Sequence, residues 1–205
     1  MSVSLNHDDD DACMLRMQGG DRHAFDEIVA RHQSALIGFF IRHLRDAQLA
    51  EDLTQETLLR VFNQSWDSLP RGSFRGWMFR IARNLLIDST RRRSHDALVR
   101  AIKCSGATED DDGLARIMGE ETAPLDRADQ QEIVRLVDAV LPELPDDQRC
   151  TFILYHYMAL SLPEIADATE CNLPTCKSRL RLAREKLREK LLDRGVTDPG
   201  LPEED

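Results

Sequence analysis

Two helix-start signals follow one another closely near the C-terminus, and few arrangements other than a helix-turn-helix satisfy both. Ser161-Leu162-Pro163-Glu164 has the form of a capping box: a serine oxygen meets the first free amides, proline stands in the first turn, and the glutamate reaches back. Asn172 can cap the next helix, with Pro174 in its first turn. In that second helix Cys176, Leu180, Ala183, Leu187 and Leu191 recur at offsets of three and four and so form one apolar stripe. Lys177, Ser178, Arg179, Arg181, Arg184 and Arg188 are left largely on the other surface. Such a helix fits the major groove of duplex DNA, where its first residues reach base edges and later arginines meet phosphate.

The charge distribution must support that reading, because the formal net charge of the 205 residues is −10. Acidic residues crowd Asp8 to Asp11, Glu109 to Asp112, the stretch from Glu120 to Asp129, and the tail from Glu203. Basic residues crowd Arg71 to Lys103 and Lys177 to Arg194. Exposed charges more than about 8 Å apart are largely screened at physiological salt, so a local basic face can grip phosphate on an acidic protein. Five cysteines with no CxxC pair are an odd count that fits free thiols in a reducing compartment. No apolar run is long enough to span a bilayer and the first residues are acidic, so a cytoplasmic protein without membrane insertion is expected.

The rest of the chain reads as helices. Phe25, Ile28, Val29, Leu36, Phe39 and Phe40 mark one, and Ala50, Leu53, Leu58, Val61, Phe62 and Trp66 a second. Leu69-Pro70-Arg71-Gly72-Ser73 breaks the pattern before Phe74, Trp77, Met78, Ile81, Ala82 and Leu85 begin a third, basic helix. From Cys104 the periodicity dissolves into Ser, Gly, Thr, Asp and Glu, and it returns at Ile133. The expectation is an all-α protein of two small helical domains joined by an acidic flexible linker, the second containing the helix-turn-helix. The boundaries are a disordered acidic N-terminus over 1–17, a first domain over 18–103, the linker over 104–130, the second domain over 131–194 and a tail over 195–205.

The central segment mixes Trp66, Phe74, Trp77 and Phe79 with Arg71, Arg75, Arg80 and Arg83. An unpaired base offers a π face and a Watson-Crick edge, so its reader needs a cavity with polar groups and a cationic track. The loop before Phe74 and a face made by Arg80, Arg83 and Asn84 can supply both, with Phe74 the preferred base contact. Met78 and Ile81 read as core, while Trp77 suits either role.

The C-terminal block is similar, without gaps, to that of the extracytoplasmic-function (ECF) sigma factors of bacterial RNA polymerase, on Ile165, Ala166, Thr175, Lys177, Ser178 and Arg179. It departs from their pattern at Glu170 and Pro174, where glycine is usual or tolerated. Arg75 to Asp88 resembles the −10-reading part of the same family, and Ala50 to Phe62 its polymerase-binding helix. The resemblance implies reading of the −35 element through Thr175, Lys177, Ser178, Arg179, Arg181 and Arg184, with Lys177, Ser178 and Arg181 on bases and Arg179 and Arg184 on phosphate. It implies −10 and single-strand binding through Arg71, Phe74, Trp77, Arg80, Arg83 and Asn84. It also implies contact of Glu51, Asp52, Gln55, Glu56 and Leu59 with core RNA polymerase, and an anti-sigma factor as a further partner.

Magnitudes agree that a partner is needed. Opening duplex costs about 1.4 kcal/mol per stacked step, while one base–aromatic stack returns about 1–3 kcal/mol, so few aromatics cannot sustain a bubble. A linker of about 26 residues reaches about 28 Å, against roughly 70 Å for two helical turns of DNA. The linker reads either as a tether or as a phosphate-like chain lying in a positive channel. Six scattered histidines and the lack of a phosphate-cradling loop or nucleophile motif argue against an enzyme, a cofactor or a metal. Cys171, Cys176 and His156 are conceivable zinc ligands, but Cys176 already fills the apolar stripe. The alternative is a helix-turn-helix transcription regulator without sigma activity, which leaves the basic aromatic segment unexplained.

Overall fold

The computed structural model describes residues 7–64, 73–103 and 126–196, and the regular elements among them are all helical. The first domain comprises α1 (His7–Gln18), α2 (Arg22–Leu44), α3 (Ala47–Gln64) and α4 (Phe74–Lys103). The second comprises α5 (Asp126–Val140), a 3-10 turn at Leu141–Glu143, α6 (Asp146–His156), α7 (Leu162–Thr169) and α8 (Leu173–Asp193). Trp66, Arg71 and the linker as far as residue 125 lie outside the described residues.

Helix α2 starts where the Asp21 carboxylate accepts the His23 N–H at 3.0 Å, and it buries Ile28, Leu36, Phe39 and Phe40 completely. Phe39 sits edge-on to both Phe40 and Phe79, which joins α2 to α4. Helix α3 buries Ala50, Leu58 and Val61 together with Thr54 and Thr57, whose hydroxyls donate to the carbonyls of Ala50 and Leu53. Those internal bonds let polar residues enter the core without an unmet hydrogen bond.

Of the stretch expected to be disordered, residues 7–17 lie in helix α1. Helix α1 tucks Cys13, Met14 and Met17 into the core, and its Asp10, 1% exposed, meets His32 Nε2 at 3.0 Å and Arg31 at 3.2 Å. Burial alone would raise the Asp10 pKa, but the hydrogen bonds and charges of His32 and Arg31 outweigh it and hold the carboxyl below its ordinary range. The acidic run thus supplies an anchor that only the folded chain can partner. Helix α5 starts at Asp126, inside the stretch expected to be linker.

In the second domain the expected stripe of Cys176, Leu180, Ala183, Leu187 and Leu191 is buried throughout. The Glu164 carboxylate accepts both the N–H (2.8 Å) and the hydroxyl (2.7 Å) of Ser161, and Asn172 Oδ1 accepts the Thr175 N–H at 2.8 Å. Between these caps Glu170 adopts the left-handed region at φ 52°, its N–H directed to the Ala166 and Asp167 carbonyls. This closes the turn of the helix-turn-helix on a residue that carries a Cβ penalty there.

Candidate nucleic-acid interface

The outward side of α8 is built by subtraction: once the stripe is buried, Lys177, Ser178 and Arg181 remain exposed at its N-terminal half. Arg181 pairs with Glu185 on its own helix, an exposed i,i+4 contact that a ligand displaces at little cost. Thr175 is half-buried and supplies the N–H that Asn172 caps. Arg179 and Arg184 turn inward instead. Arg179 pairs with Asp147 of α6, while Arg184 donates to His156 Nε2 at 3.3 Å and lies over the Tyr155 ring at 5.2 Å. Of the residues expected on duplex DNA, Lys177, Ser178 and Arg181 are thus exposed, while Arg179 and Arg184 are engaged within the domain.

The start of α4 has a different surrounding. Ser73 caps the helix by accepting the Gly76 N–H at 3.0 Å, and its hydroxyl donates to Glu164 of α7 at 2.8 Å. A Cβ placed on Gly76 would stand 3.1 Å from the Glu164 carbonyl oxygen and 3.2 Å from Asp167 Oδ2, so glycine lets α4 and α7 approach closely. Arg80 reaches Asp167 at 3.2 Å and Arg83 reaches Asp147 at 3.5 Å. Arg75, 7% exposed, donates to the Met158 carbonyl and to that of Ala159 at 3.4 Å. Behind this seam Arg42 lies over the Tyr157 ring at 3.9 Å and pairs with Asp138 at 3.3 Å. The two domains are thus latched, and the latch uses the basic residues expected to track single-stranded DNA.

Phe74 departs from its expected role. It is fully buried, with ring centroids 5.4 Å from His32 and 6.0 Å from Trp77, so in this arrangement it is core and not a stacking platform. The reason is helical phase: Phe74, Met78, Ile81 and Leu85 share one face, and that face is the domain interior. Trp77 is 8% exposed, whereas Asn84 is exposed. Arg71 lies outside the described residues.

The acidic face of α3 stands apart from both. Glu51, Asp52, Gln55 and Leu59 are exposed, with Leu59 at 55%, while Glu56 pairs with Arg60 at 2.8 Å. Among the described residues no three His, Cys, Asp or Glu side chains are grouped to hold a metal ion. Cys171 and Cys176 do meet, but His156 is engaged with Arg184.

Ser73, Gly76, Asp147 and Asp167, which build the latch, carry no signal in the sequence that joins them. Glu164 was legible as a capping residue, and its second partner across the seam was not.

Fold and site define a two-domain helical DNA-binding protein with a helix-turn-helix at its C-terminal end. The Sigma-70 region 2 model matches residues 28–96, and the Sigma-70 region 4 model matches residues 134–187. The RNA polymerase sigma-H factor of Pseudomonas aeruginosa is 31% identical over 186 residues, which cover 89% of this chain and 94% of that protein. The ECF RNA polymerase sigma factor SigW of Bacillus subtilis is 29% identical, over 87% of this chain and 94% of its own length. Among solved structures, the sigma factor RpoE of Bartonella quintana in complex with the anti-sigma factor NepR aligns with a TM-score of 0.63 at 25% identity, covering 82% of this chain and 96% of that one. CnrH, solved with the cytosolic domain of CnrY, shares the fold with a TM-score of 0.64 at 24% identity, over 91% of this chain and 98% of its own. The chain belongs to the ECF sigma factors, and it directs core RNA polymerase to promoters.

Proposed function

We propose that the two domains divide promoter reading between them and that the latched form is the resting one. We assign the first domain to 18–103, with α1 packed on it, and the second to 131–194, with the first residues of α5 before it, and we assign 195–205 to a tail. Lys177, Ser178 and Arg181 read base edges of the −35 duplex, Arg179 and Arg184 hold phosphate, and Thr175 belongs to the same −35 surface. Arg71, Trp77, Arg80, Arg83 and Asn84 serve the −10 element and its unpaired strand, with Phe74 supporting them from the core. Glu51, Asp52, Gln55, Glu56 and Leu59 meet the polymerase core. The observation that carries this reading is the unequal state of the two basic surfaces: α8 presents its base-reading residues outward, while Arg80 and Arg83 are held by carboxylates of the second domain. Engagement of both promoter elements requires the latch to open, and polymerase supplies the binding energy.

The chain works in the cytoplasm, catalyses no reaction of its own and requires no metal or cofactor. Among the described residues no helix is long and apolar enough to cross a membrane. Because the related RpoE was solved with an anti-sigma factor, an inhibitor engaging both domains of this chain is the expected regulator. The test is run-off transcription with core polymerase and this chain as the sole specificity factor. A discrete transcript that disappears in the Lys177→Ala/Arg181→Ala double variant is expected. Duplex binding that never starts transcription would favour a plain helix-turn-helix regulator.

A further inference from the structure

Two thiols meet where the helix-turn-helix bends. Cys171 lies half-buried in the turn between α7 and α8, Cys176 is fully buried near the start of α8, and their Sγ atoms are 2.9 Å apart. The left-handed Glu170 brings them together by reversing the chain, so that the Cys171 N–H donates to the Ala166 carbonyl at 3.0 Å. Thr169 Oγ lies 3.2 Å from Cys171 Sγ and 3.8 Å from Cys176 Sγ, and its hydroxyl donates to the Ile165 carbonyl at 2.6 Å. With that proton committed, the oxygen faces the sulfurs as an acceptor. Cys176 fills a slot in the apolar stripe, but Cys171 fills none, and promoter reading as described above has no use for the pair.

We propose that Cys171 and Cys176 form a reversible dithiol–disulfide site that responds to peroxide and lowers the affinity of α8 for duplex DNA. The DNA half of this rests on α8 being the −35 reader; the pairing half does not. The Cys171 thiolate attacks one oxygen of hydrogen peroxide, the O–O bond breaks, and a sulfenic acid and hydroxide result. Hydroxide takes the Cys176 proton, the Cys176 sulfur attacks Cys171 Sγ, and the S–S bond forms as the sulfenic hydroxyl leaves and is protonated. Two thiols give up two electrons and two protons, and one peroxide becomes two waters.

Burial, with the hydrogen bond to Cys171 as the next cause, pushes the Cys176 thiol up to about 11. Cys171, the more accessible thiol, therefore meets the oxidant first and Cys176 resolves it. The bond brings the sulfurs to about 2.05 Å and ties the turn to the residue between Thr175 and Lys177, so the first turn of α8 must shift with it. Base readout needs donors and acceptors in register with base edges, so the oxidised chain is expected to bind a −35 duplex about tenfold more weakly.

The test treats the full chain with hydrogen peroxide, alkylates the remaining thiols and maps the products by mass spectrometry, beside duplex binding of each form. Expected are the loss of two alkylatable thiols, a Cys171–Cys176 cross-link reversed by dithiothreitol, and the drop in affinity. The Cys171→Ser and Cys176→Ser variants should each abolish the cross-link; Cys171, in the turn, is the safer of the two for folding. Thiols that stay alkylatable, or bonds that join other cysteines or two chains, overturn the proposal. A cross-link that leaves affinity unchanged overturns the control half. Reduced chain that binds no duplex defeats the α8 reading and the control claim with it, while the mass measurement still decides the pairing.

Discussion

The start of α4 and the outer side of α8 are both basic, capped helix surfaces, yet they stand in opposite states. On α8 the stripe faces inward, and Lys177, Ser178 and Arg181 are left to solvent. On α4 the side opposite the core has a second neighbour, and Asp167 and Asp147 already occupy Arg80 and Arg83. Composition alone does not make a nucleic-acid surface. What distinguishes the two is where the competing carboxylates come from: Asp167 and Asp147 reach Arg80 and Arg83 from the other domain, whereas Glu185 and Asp147 reach Arg181 and Arg179 from within their own. Unpaired DNA forms only once duplex has been opened, at about 1.4 kcal/mol per stacked step, so a surface for unpaired DNA has less need to stand open in the free chain.

The largest expected effect breaks the comparison on the α8 side. Arg181→Ala is expected to remove the proposed base contact, worth about 1–3 kcal/mol of discrimination, and to change the preferred base at one position in a binding-site selection. Arg184→Ala should weaken all duplexes alike and lower the melting temperature, since this residue packs on Tyr155 and His156. Uniform weakening by both would erase the division between base and phosphate contacts.

A second prediction concerns the histidines held neutral in each domain. Burial lowers His43 to about 4, with its Nδ1–H donating to the Phe39 carbonyl at 2.8 Å. Burial first and Arg184 second lower His156 to about 4. An unfolded histidine gains its proton near pH 6.5 while these do not, so the stability they contribute is present above about 6.5 and lost as pH falls toward 4. The melting temperature should drop by roughly 5 °C between pH 7 and 5. Substituting His43 with Gln should remove only the first domain's share, and a flat profile in the parent protein would contradict the assignment.

The smallest effect isolates the turn. Glu170→Gly relieves the left-handed backbone and should stabilise the second domain by about 0.5–1 kcal/mol in thermal unfolding, leaving −10 strand binding unchanged. A loss of stability would show that the Glu170 side chain contributes more than its backbone costs.

Much of this architecture was legible where local rules acted alone. The α8 stripe, the Ser161–Glu164 box and the Asn172 cap are short-range patterns, and each is present. The loop before Phe74 points to a base contact, whereas its spacing to Met78, Ile81 and Leu85 places it in the core. Helix α1 escaped because its anchor, Asp10 on His32, joins residues that are distant in sequence. The latch escapes for the same reason: Asp167 and Asp147 read as ordinary polar residues, and Glu164 as a cap alone, until α7 and α6 meet α4.

The most direct test of the resting latch is fluorescence anisotropy of a single-stranded −10 oligonucleotide with the free chain, comparing the parent protein with Gly76→Ala and Asp167→Ala. The first variant wedges α4 from α7 without changing charge, and the second releases Arg80. Weak binding by the parent is expected, rising several-fold in both variants and in the parent once core polymerase is added. Equal affinity of parent and variants, already as tight as with polymerase, would show that the seam covers nothing the DNA needs.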